Sequence, residues 1–381
     1  MKKDLGVLLA AAFLLSGCQS GMGSVSLDKG LLKSSARPQV RAKGISYSLY
    51  YGSNHTHTAA GGDDGKLSLE EAFSYARDKG KFDFFATTPH SHMITPDGYQ
   101  TLRQTAQKFN QDGKFVSLVG QEWGSLSRGG HINIFEANQL CQVTSGDWNT
   151  FYKQWLPAHN EVSWVALNHP KLNDFAQSLI NPQKDAVASK FSTIATIGSR
   201  SDYEGEDGNA PISEKAQTYD YFLNLGFKVG SLGETDNHRA NWGTSSPVST
   251  GVWSRQLSKS EIVKAIQARR TFSTQVKGLK IWFTLNSNEM GSEGSSPRAM
   301  NFTVAFSDPS KQTTNLYLYG DLDGPGGAQA TTIAQRPVKD GQAEWNYSYN
   351  ASKSGKMYFY LRAVSGDGVM AFSSPIWVDV K

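Results

Sequence analysis

Six of the eight histidines in this chain fall in a fixed order, each beside a short apolar run. The series opens at His55-Thr56-His57 and continues at His90, in Thr88-Pro89-His90-Ser91-His92. Glu122 follows in Gly120-Gln121-Glu122-Trp123, then His131 in Gly129-Gly130-His131-Ile132-Asn133. His169 sits in Asn168-His169-Pro170, and Asp236-Asn237-His238 closes the set. Imidazoles and carboxylates are the ligands that borderline divalent metals prefer. A set this large implies more than one ion, and multi-ion sites usually perform hydrolysis. The scatter also constrains the fold, because only an architecture that returns many strand ends to one place can assemble these residues.

The pattern between residues 45 and about 275 alternates short apolar runs with helical stretches. Ser68-Leu69-Glu70-Glu71 forms a capping box that opens a helix, and Gly80 closes it. Strand-like runs at 82–88, 115–119, 164–167 and 229–232 lead into His90, Glu122, His169 and Asp236. A second capping box, Ser258-Lys259-Ser260-Glu261, starts a helix expected to reach Arg270. Strands alternating with helices imply a parallel sheet or barrel. Each candidate ligand is read as following its apolar run, as expected at the C-terminal mouth of a (β/α) barrel. In His55-Thr56-His57 the imidazoles are two residues apart, which places both on one face of an extended chain. From about 278 the texture becomes short β-like segments separated by Gly- and Pro-bearing turns, which suggests a sandwich of roughly one hundred residues.

The N-terminus reads as a leader. Lys2 and Lys3 precede an apolar stretch, Leu5 to Leu15, too short to span a bilayer as a mature helix. It ends in Leu15-Ser16-Gly17-Cys18, which resembles the bacterial lipobox, so Cys18 is the expected lipidation site. Gln19 after it favours the outer membrane by analogy, and the expected location is the bacterial cell envelope. With Cys18 acylated, Cys141 has no partner and no intramolecular disulfide is possible. The net charge of +4 is small and dispersed, which argues against nucleic-acid binding. The expected organisation is a signal peptide over 1–17, a flexible tether over 18–44, a hydrolase domain over 45–276 and a β-sandwich over 277–381.

The order His-x-His, an acidic-Gly turn, a strand ending in His, Gly-x-Glu, Gly-His, His-Pro and Asp-x-His resembles the PHP (polymerase and histidinol phosphatase) superfamily. Leu223-Asn224-Leu225-Gly226 and Ser373-Ser374-Pro375-Ile376-Trp377-Val378 look like its carbaryl-hydrolase-like branch. The resemblance implies a distorted (βα)7 barrel with two or three divalent ions, Zn, Mn or Fe. It implies a first ion among His55, His57, Glu122 and Asp236, with Glu122 bridging to a second held by His131 and His169. A third would lie among Asp64, His90 and His238. The usual Ser-Asp-Gly turn is here Asp63-Asp64-Gly65; Asp63 competes with Asp64 for the role but reads as a turn residue. Pro89 replaces the usual acid before His90 and its side chain cannot accept a hydrogen bond, so Ser91 or His92 is the expected substitute.

Metal-activated water suits an anionic phosphoryl substrate. Arg239 is the candidate phosphate clamp and His92 the candidate general acid, with Arg200 and Lys171 as weaker substrate contacts. His159 reads as an ordinary packed or surface histidine. Trp123, Trp164 and Trp242 read as packing, with Trp123 and Trp242 close enough to the motifs to line a pocket. The leading expectation is a lipid-anchored, metal-dependent phosphoesterase acting on a small-molecule ester. A carbamate or aryl ester hydrolase is the alternative, and a non-catalytic surface lipoprotein with a degenerate site is the third.

Overall fold

The computed structural model describes residues 37–198, 212–326, 329–366 and 368–381. The expected leader, Cys18, most of the expected tether and Arg200 lie outside the described residues. Among the described residues no helix is long and apolar enough to cross a membrane.

The chain opens with β1 (Gln39–Ala42) and β2 (Ile45–Ser53), an antiparallel pair. The expected tether therefore ends too late. Val40 and Ala42 point inward and are buried while Gln39 and Arg41 face solvent, the period-two pattern of a half-buried strand. Helix α1 (Leu69–Asp78) follows, with both reciprocal bonds of the Ser68/Glu71 capping box in place. Next come β3 (Phe84–Thr87), α2 (Pro96–Phe109), β4 (Val116–Ser125) and β5 (Gly130–Phe135). The connection from β5 to β6 (Trp164–Leu167) holds a short helix, α3 (Trp148–Thr150), a π-helical turn (Phe151–Trp155) and α4 (Leu156–Ala158). Then follow β7 (Phe191–Gly198), α5 (Ile212–Asn224), β8 (Gly230–Glu234), β9 (Ser249–Ser254), α6 (Lys259–Gln267) and β10 (Thr271–Thr274). Helix α6 stops short of Arg270, because Arg269 takes a left-handed φ of 56° that turns the chain into β10.

β2, β3 and β4 pair in parallel, as do β6, β7 and β8. β5 is reversed between them, joined to β4 by a hairpin, and β9 returns antiparallel to β2. Regular strand–helix alternation thus fails at β4–β5, where the connection is a turn of Leu126–Arg128. The sheet nevertheless curls on itself. Tyr50 (β2), Phe84 (β3), Val116 (β4), Phe135 (β5), Trp164 (β6), Leu232 (β8) and Val252 (β9) share one buried cluster with Ile262 and Ile266 of α6. In a flat sheet β2 and β8 would be about six strand spacings of ~4.8 Å apart.

The expected (βα)7 barrel is not closed by a backbone ladder. At the seam between β8 and β9–β10, hydroxyls replace it. Thr250 Oγ1 accepts from the Gly233 N–H and donates to its carbonyl oxygen, and Thr196, Ser231 and Ser273 bond one another. Ser374 Oγ accepts from the Ser231 N–H and donates to the Thr271 carbonyl. Gly233 has to be glycine here, since a Cβ would meet the Ser249 carbonyl oxygen at 2.3 Å.

The C-terminal strands are β11 (Lys280–Leu285), β12 (Asn288–Glu289), β13 (Glu293–Ser296), β14 (Ala299–Ser307) and β15 (Asn315–Asp321). They continue as β16 (Thr331–Pro337), β17 (Gln342–Asn350), β18 (Gly355–Ser365), β19 (Gly368–Ser373) and β20 (Ile376–Val380). One layer is the four-stranded sheet β12-β11-β14-β17. The other layer is not separate: it continues into the N-terminal sheet through β10, in the order β13-β20-β18-β19-β10-β9-β2, and β18 also carries β15, which in turn carries β16. Trp282, Phe302, Phe306, Leu318 and Phe359 fill the space between layers, and Val40, Leu49 and Trp253 join the same core. The sandwich therefore shares its sheet and core with the first unit.

Replacing Ser374 by Ala leaves the buried Ser231 N–H without a partner at the seam. Urea denaturation should show a loss of about 1–3 kcal/mol; an unchanged midpoint would mean the hydroxyl seam contributes nothing.

Candidate metal centre

One end of the curled sheet collects the ordered residues. His55 and His57 lie just past β2, where Thr56 forms a single parallel bridge to Asn237. The bridge keeps the segment extended, so the two rings project to one side. His90 lies three residues past β3, His169 two past β6 and Asp236 two past β8. Two residues break the expected rule. Glu122 lies within β4, and His131 is the second residue of β5 and precedes its apolar run. β5 runs backwards, so its start is at the same mouth, with Gly124 opposite His131.

Glu122 stands at the centre, with both oxygens among imidazoles. Oε1 lies 3.1 Å from His55 Nε2, 3.2 Å from His131 Nδ1 and 3.3 Å from His169 Nε2. Oε2 lies 3.2 Å from His57 Nε2 and 3.3 Å from His90 Nε2. Asp236 Oδ1 lies 3.1 Å from His55 Nε2 and 3.0 Å from His57 Nε2. The His55 and His57 Nε2 atoms face each other at 3.3 Å. Three groupings have ligand atoms close enough to share an ion: His55, His57, Glu122 and Asp236; His57, Asp64, His90 and His238; and His90, Glu122 and His131. His169 touches Glu122 but belongs to none of the three, which differs from its expected pairing with His131 on a second ion.

A second layer of acids holds the rings. Glu234 Oε2 accepts from His55 Nδ1 at 2.9 Å, and Glu234 Oε1 accepts from the His169 N–H at 2.7 Å. Asp63 is not the mere turn residue the sequence suggested. It is buried; Oδ2 accepts from His57 Nδ1 at 3.0 Å, and Oδ1 accepts from His90 Nδ1 at 2.9 Å and from the His90 N–H at 3.1 Å. It supplies the acid that Pro89 cannot, the role expected of Ser91 or His92. Asp64, half exposed, reaches His238 Nε2 at 3.2 Å and His90 Nδ1 at 3.4 Å. Asn168 Nδ2 donates to Glu122 Oε1 at 2.9 Å. With Nδ1 of His55 and His57 engaged by acids, Nε2 is the atom each turns to the centre, the usual arrangement of metal-binding histidines.

The electrostatics call for cations. Burial alone would lower the His55 and His57 pKa values, but the acids raise both well above the ordinary imidazole value. His90 is likewise opposed by burial, yet Asp63 and Asp64 bring it to about 9. Burial would raise Glu122 and Asp236; the imidazoles hold both well below the carboxylate range. Asp236 Oδ1 lies between two imidazole nitrogens at 3.1 and 3.0 Å, close enough for all three atoms to share an ion. The donor set fits divalent metal ions.

Around this centre opens a cleft of about 940 Å³ whose wall includes Asp64, His90, His92, His131 and Arg128. His92 lies on that wall, its ring centroid 5.5 Å from that of His90. Burial and the neighbouring His90 and His131 hold its pKa below the ordinary imidazole value. Arg239 is exposed, is not part of the cleft wall, and meets the centre only through the backbone, its N–H donating to Asn237 Oδ1. Lys171 is exposed as well. Trp123 and Trp242 are core residues: Trp123 stacks on Phe151 at 4.5 Å, and Trp242 donates to the Asn237 carbonyl from below. His159 stacks on Trp155 at 4.0 Å, and Cys141 is a buried thiol pushed up to about 12 by burial. Sequence reasoning missed Glu234 and Asn168. Glu234 stands two residues before Asp236, the same-face spacing that singled out His55 and His57.

No family model matches the chain. It resembles uncharacterised proteins of Chlamydia pneumoniae (20% identical over 363 residues) and Chlamydia trachomatis (22% over 360 residues), in each case over 84% of this chain. The chain spans 56% of the length of those relatives. A solved two-domain protein from Bacteroides vulgatus, described as containing a predicted PHP-like metal-dependent phosphoesterase, overlaps 90% of this chain and 99% of its own length. Its sequence identity is 14% and the TM-score 0.46.

Metal binding should release protons. Below about 6.5 the metal-free protein holds His90 protonated in its ion pairs, and that stabilisation is lost as pH rises through about 9. A divalent ion displaces the same protons. Titration of metal-free protein with Zn²⁺ in buffers of different ionisation enthalpy should show proton release at pH 7 and less at pH 9.5. Equal release at both would contradict the charge assignment. Asp63→Asn should lower bound metal per chain by elemental analysis; full occupancy would deny Asp63 its supporting role.

Proposed function

We propose that this protein is a metal-dependent hydrolase of the PHP type that cleaves phosphoric esters. The carrying observation is Glu122, one buried carboxylate whose two oxygens face different imidazole groups. That is the arrangement of a bridging ligand between two ions. Bound ions would supply activated water near neutral pH and would neutralise charge on a phosphoryl group. His55, His57, Glu122 and Asp236 would hold one ion and His131 with Glu122 a second, while His90 would complete either that second site or a third with Asp64 and His238. Glu234, Asp63 and Asn168 fix the ligand orientations, so the rings need not reorganise when substrate arrives. His92 serves as a hydrogen-bonding group on the cleft wall. Arg128 places a cation on the same wall, where a phosphoryl group is the anion it would meet.

A carbamate or aryl ester hydrolase is the second reading, favoured by the apolar Met93 and Leu126 on the wall. We further propose that the chain is anchored to the bacterial envelope through lipid on Cys18.

Bis-p-nitrophenyl phosphate and 1-naphthyl acetate, assayed side by side with metal-loaded protein, separate the two readings. Phosphate-ester turnover with little acetate turnover is expected. The reverse would transfer the assignment to the second reading. Glu122→Ala should lower turnover at least a thousandfold and reduce bound metal, with thermal unfolding still cooperative. Retained turnover in that variant would refute the bridged scheme.

A further inference from the structure

We infer that the turn joining β4 to β5 reads the substrate, and that the phosphoric ester it selects carries an apolar aryl or alkyl group. This rests on the phosphoesterase reading and names its substrate class. The described residues expose three large hydrophobic side chains: Leu67, Met93 and Leu126. Two of them, Met93 and Leu126, line the cleft at the metal centre, and Leu126 is 50% exposed, the most open of the three. Ile94, Leu140 and Val143 continue the apolar wall. Another cavity, of about 520 Å³ beside Trp377 and Arg269, has no residue of the metal centre in its wall. An open apolar lip beside a cluster of charged ligands fits a molecule with one ionic end and one greasy end.

The hairpin makes this a positioned lip. The β4–β5 register sets Glu122 opposite Asn133, Gly124 opposite His131 and Ser125 opposite Gly130. The turn Leu126–Arg128 follows within four residues of the central carboxylate, so metal ligands and lip belong to one rigid two-stranded unit. Two contacts hold the turn from behind. Trp148 Nε1 donates to the Arg128 carbonyl at 2.7 Å, and Gly146 leaves room for the Arg128 stem, which a Cβ there would meet at 2.6 Å. Arg128 thus stays on the wall as a positive charge for phosphoryl oxygens, while Leu126 and Met93 are free to cover the ester group.

Calorimetry on the metal-loaded protein tests this with two probes that ester hydrolysis leaves intact, 1-naphthylphosphonate and inorganic phosphate. The naphthyl probe should bind at least tenfold more tightly. Leu126→Ser should narrow that ratio to about threefold or less, while Leu67→Ser, outside the cleft, should leave it intact. Equal affinity for the two probes, or an unchanged ratio in Leu126→Ser, would overturn the inference and leave the phosphoesterase reading standing. If neither probe binds, both readings fall together. Turnover of 1-naphthyl phosphate over glycerol 3-phosphate should follow the same order in kcat/KM, with the Leu126→Ser loss carried by KM.

Discussion

A carboxylate with no exposure to water, ringed by imidazoles, is the constraint around which this molecule is arranged. Burying an isolated ion costs several kcal/mol even after relaxation, roughly, so Glu122 is tenable only where positive charge is guaranteed. The protein guarantees it twice over. Without metal, His55, His57 and His90 retain protons at pH values where free imidazole has lost them. With metal, the same nitrogens become ligands and the ions carry the charge. The acids behind them, Glu234 and Asp63, keep each ring oriented in both states. The centre is therefore built for exchange between protons and divalent cations, and its supporting acids matter as much as its ligands.

Strained backbone accompanies that requirement. Asp236 and His169 both sit at positive φ, 49° and 26°, where side chains other than glycine's are rarely found. Each lies two residues past its strand, at the point where the chain must turn its side chain inward over the mouth. Asp236 is steadied by the Thr56–Asn237 bridge and by Trp242 below it; His169 is steadied by Glu234 through its backbone N–H. The strain is tolerated because the surrounding contacts over-determine the position.

The clustering of these residues was legible in the sequence because imidazole and carboxylate chemistry survives without knowledge of the fold. His55, His57, Asp64, His90, Glu122, His131, Asp236 and His238 meet in the three groupings, and His169 touches Glu122. What the sequence hid was direction and context. His131 looked like a strand-end residue, yet it begins a strand, because Gly129-Gly130 makes a hairpin that a reading of successive parallel strands does not anticipate. Asp63 looked like turn chemistry, since nothing local shows that His57 and His90, six and twenty-seven residues away, will both need an acceptor. Gln39-Val40-Arg41-Ala42 is too short a pattern to mark a strand until β2 is there to pair with it. The sandwich was recognisable from its strand texture, but its fusion to the first sheet through β10 and β19 is a long-range pairing that no local signal carries.

The reversed strand also changes how specificity can vary in such a centre. In a regular (β/α) barrel, ligands sit at strand ends and loops beyond them read the substrate, so the two are joined only by flexible chain. Here β4 carries Glu122 inside the ladder and then runs on as a hairpin past the mouth. A change at Leu126 or Arg128 alters the cleft without touching a ligand, because the register beneath is pinned by paired backbone and by a close approach at Gly124, where a Cβ would meet the Gly130 carbonyl at 2.3 Å. A change at Gly124 or Gly130 would instead shift the ligands themselves. The hairpin thus divides into a base that must be conserved for the centre to form and a tip that is free to diverge with the substrate.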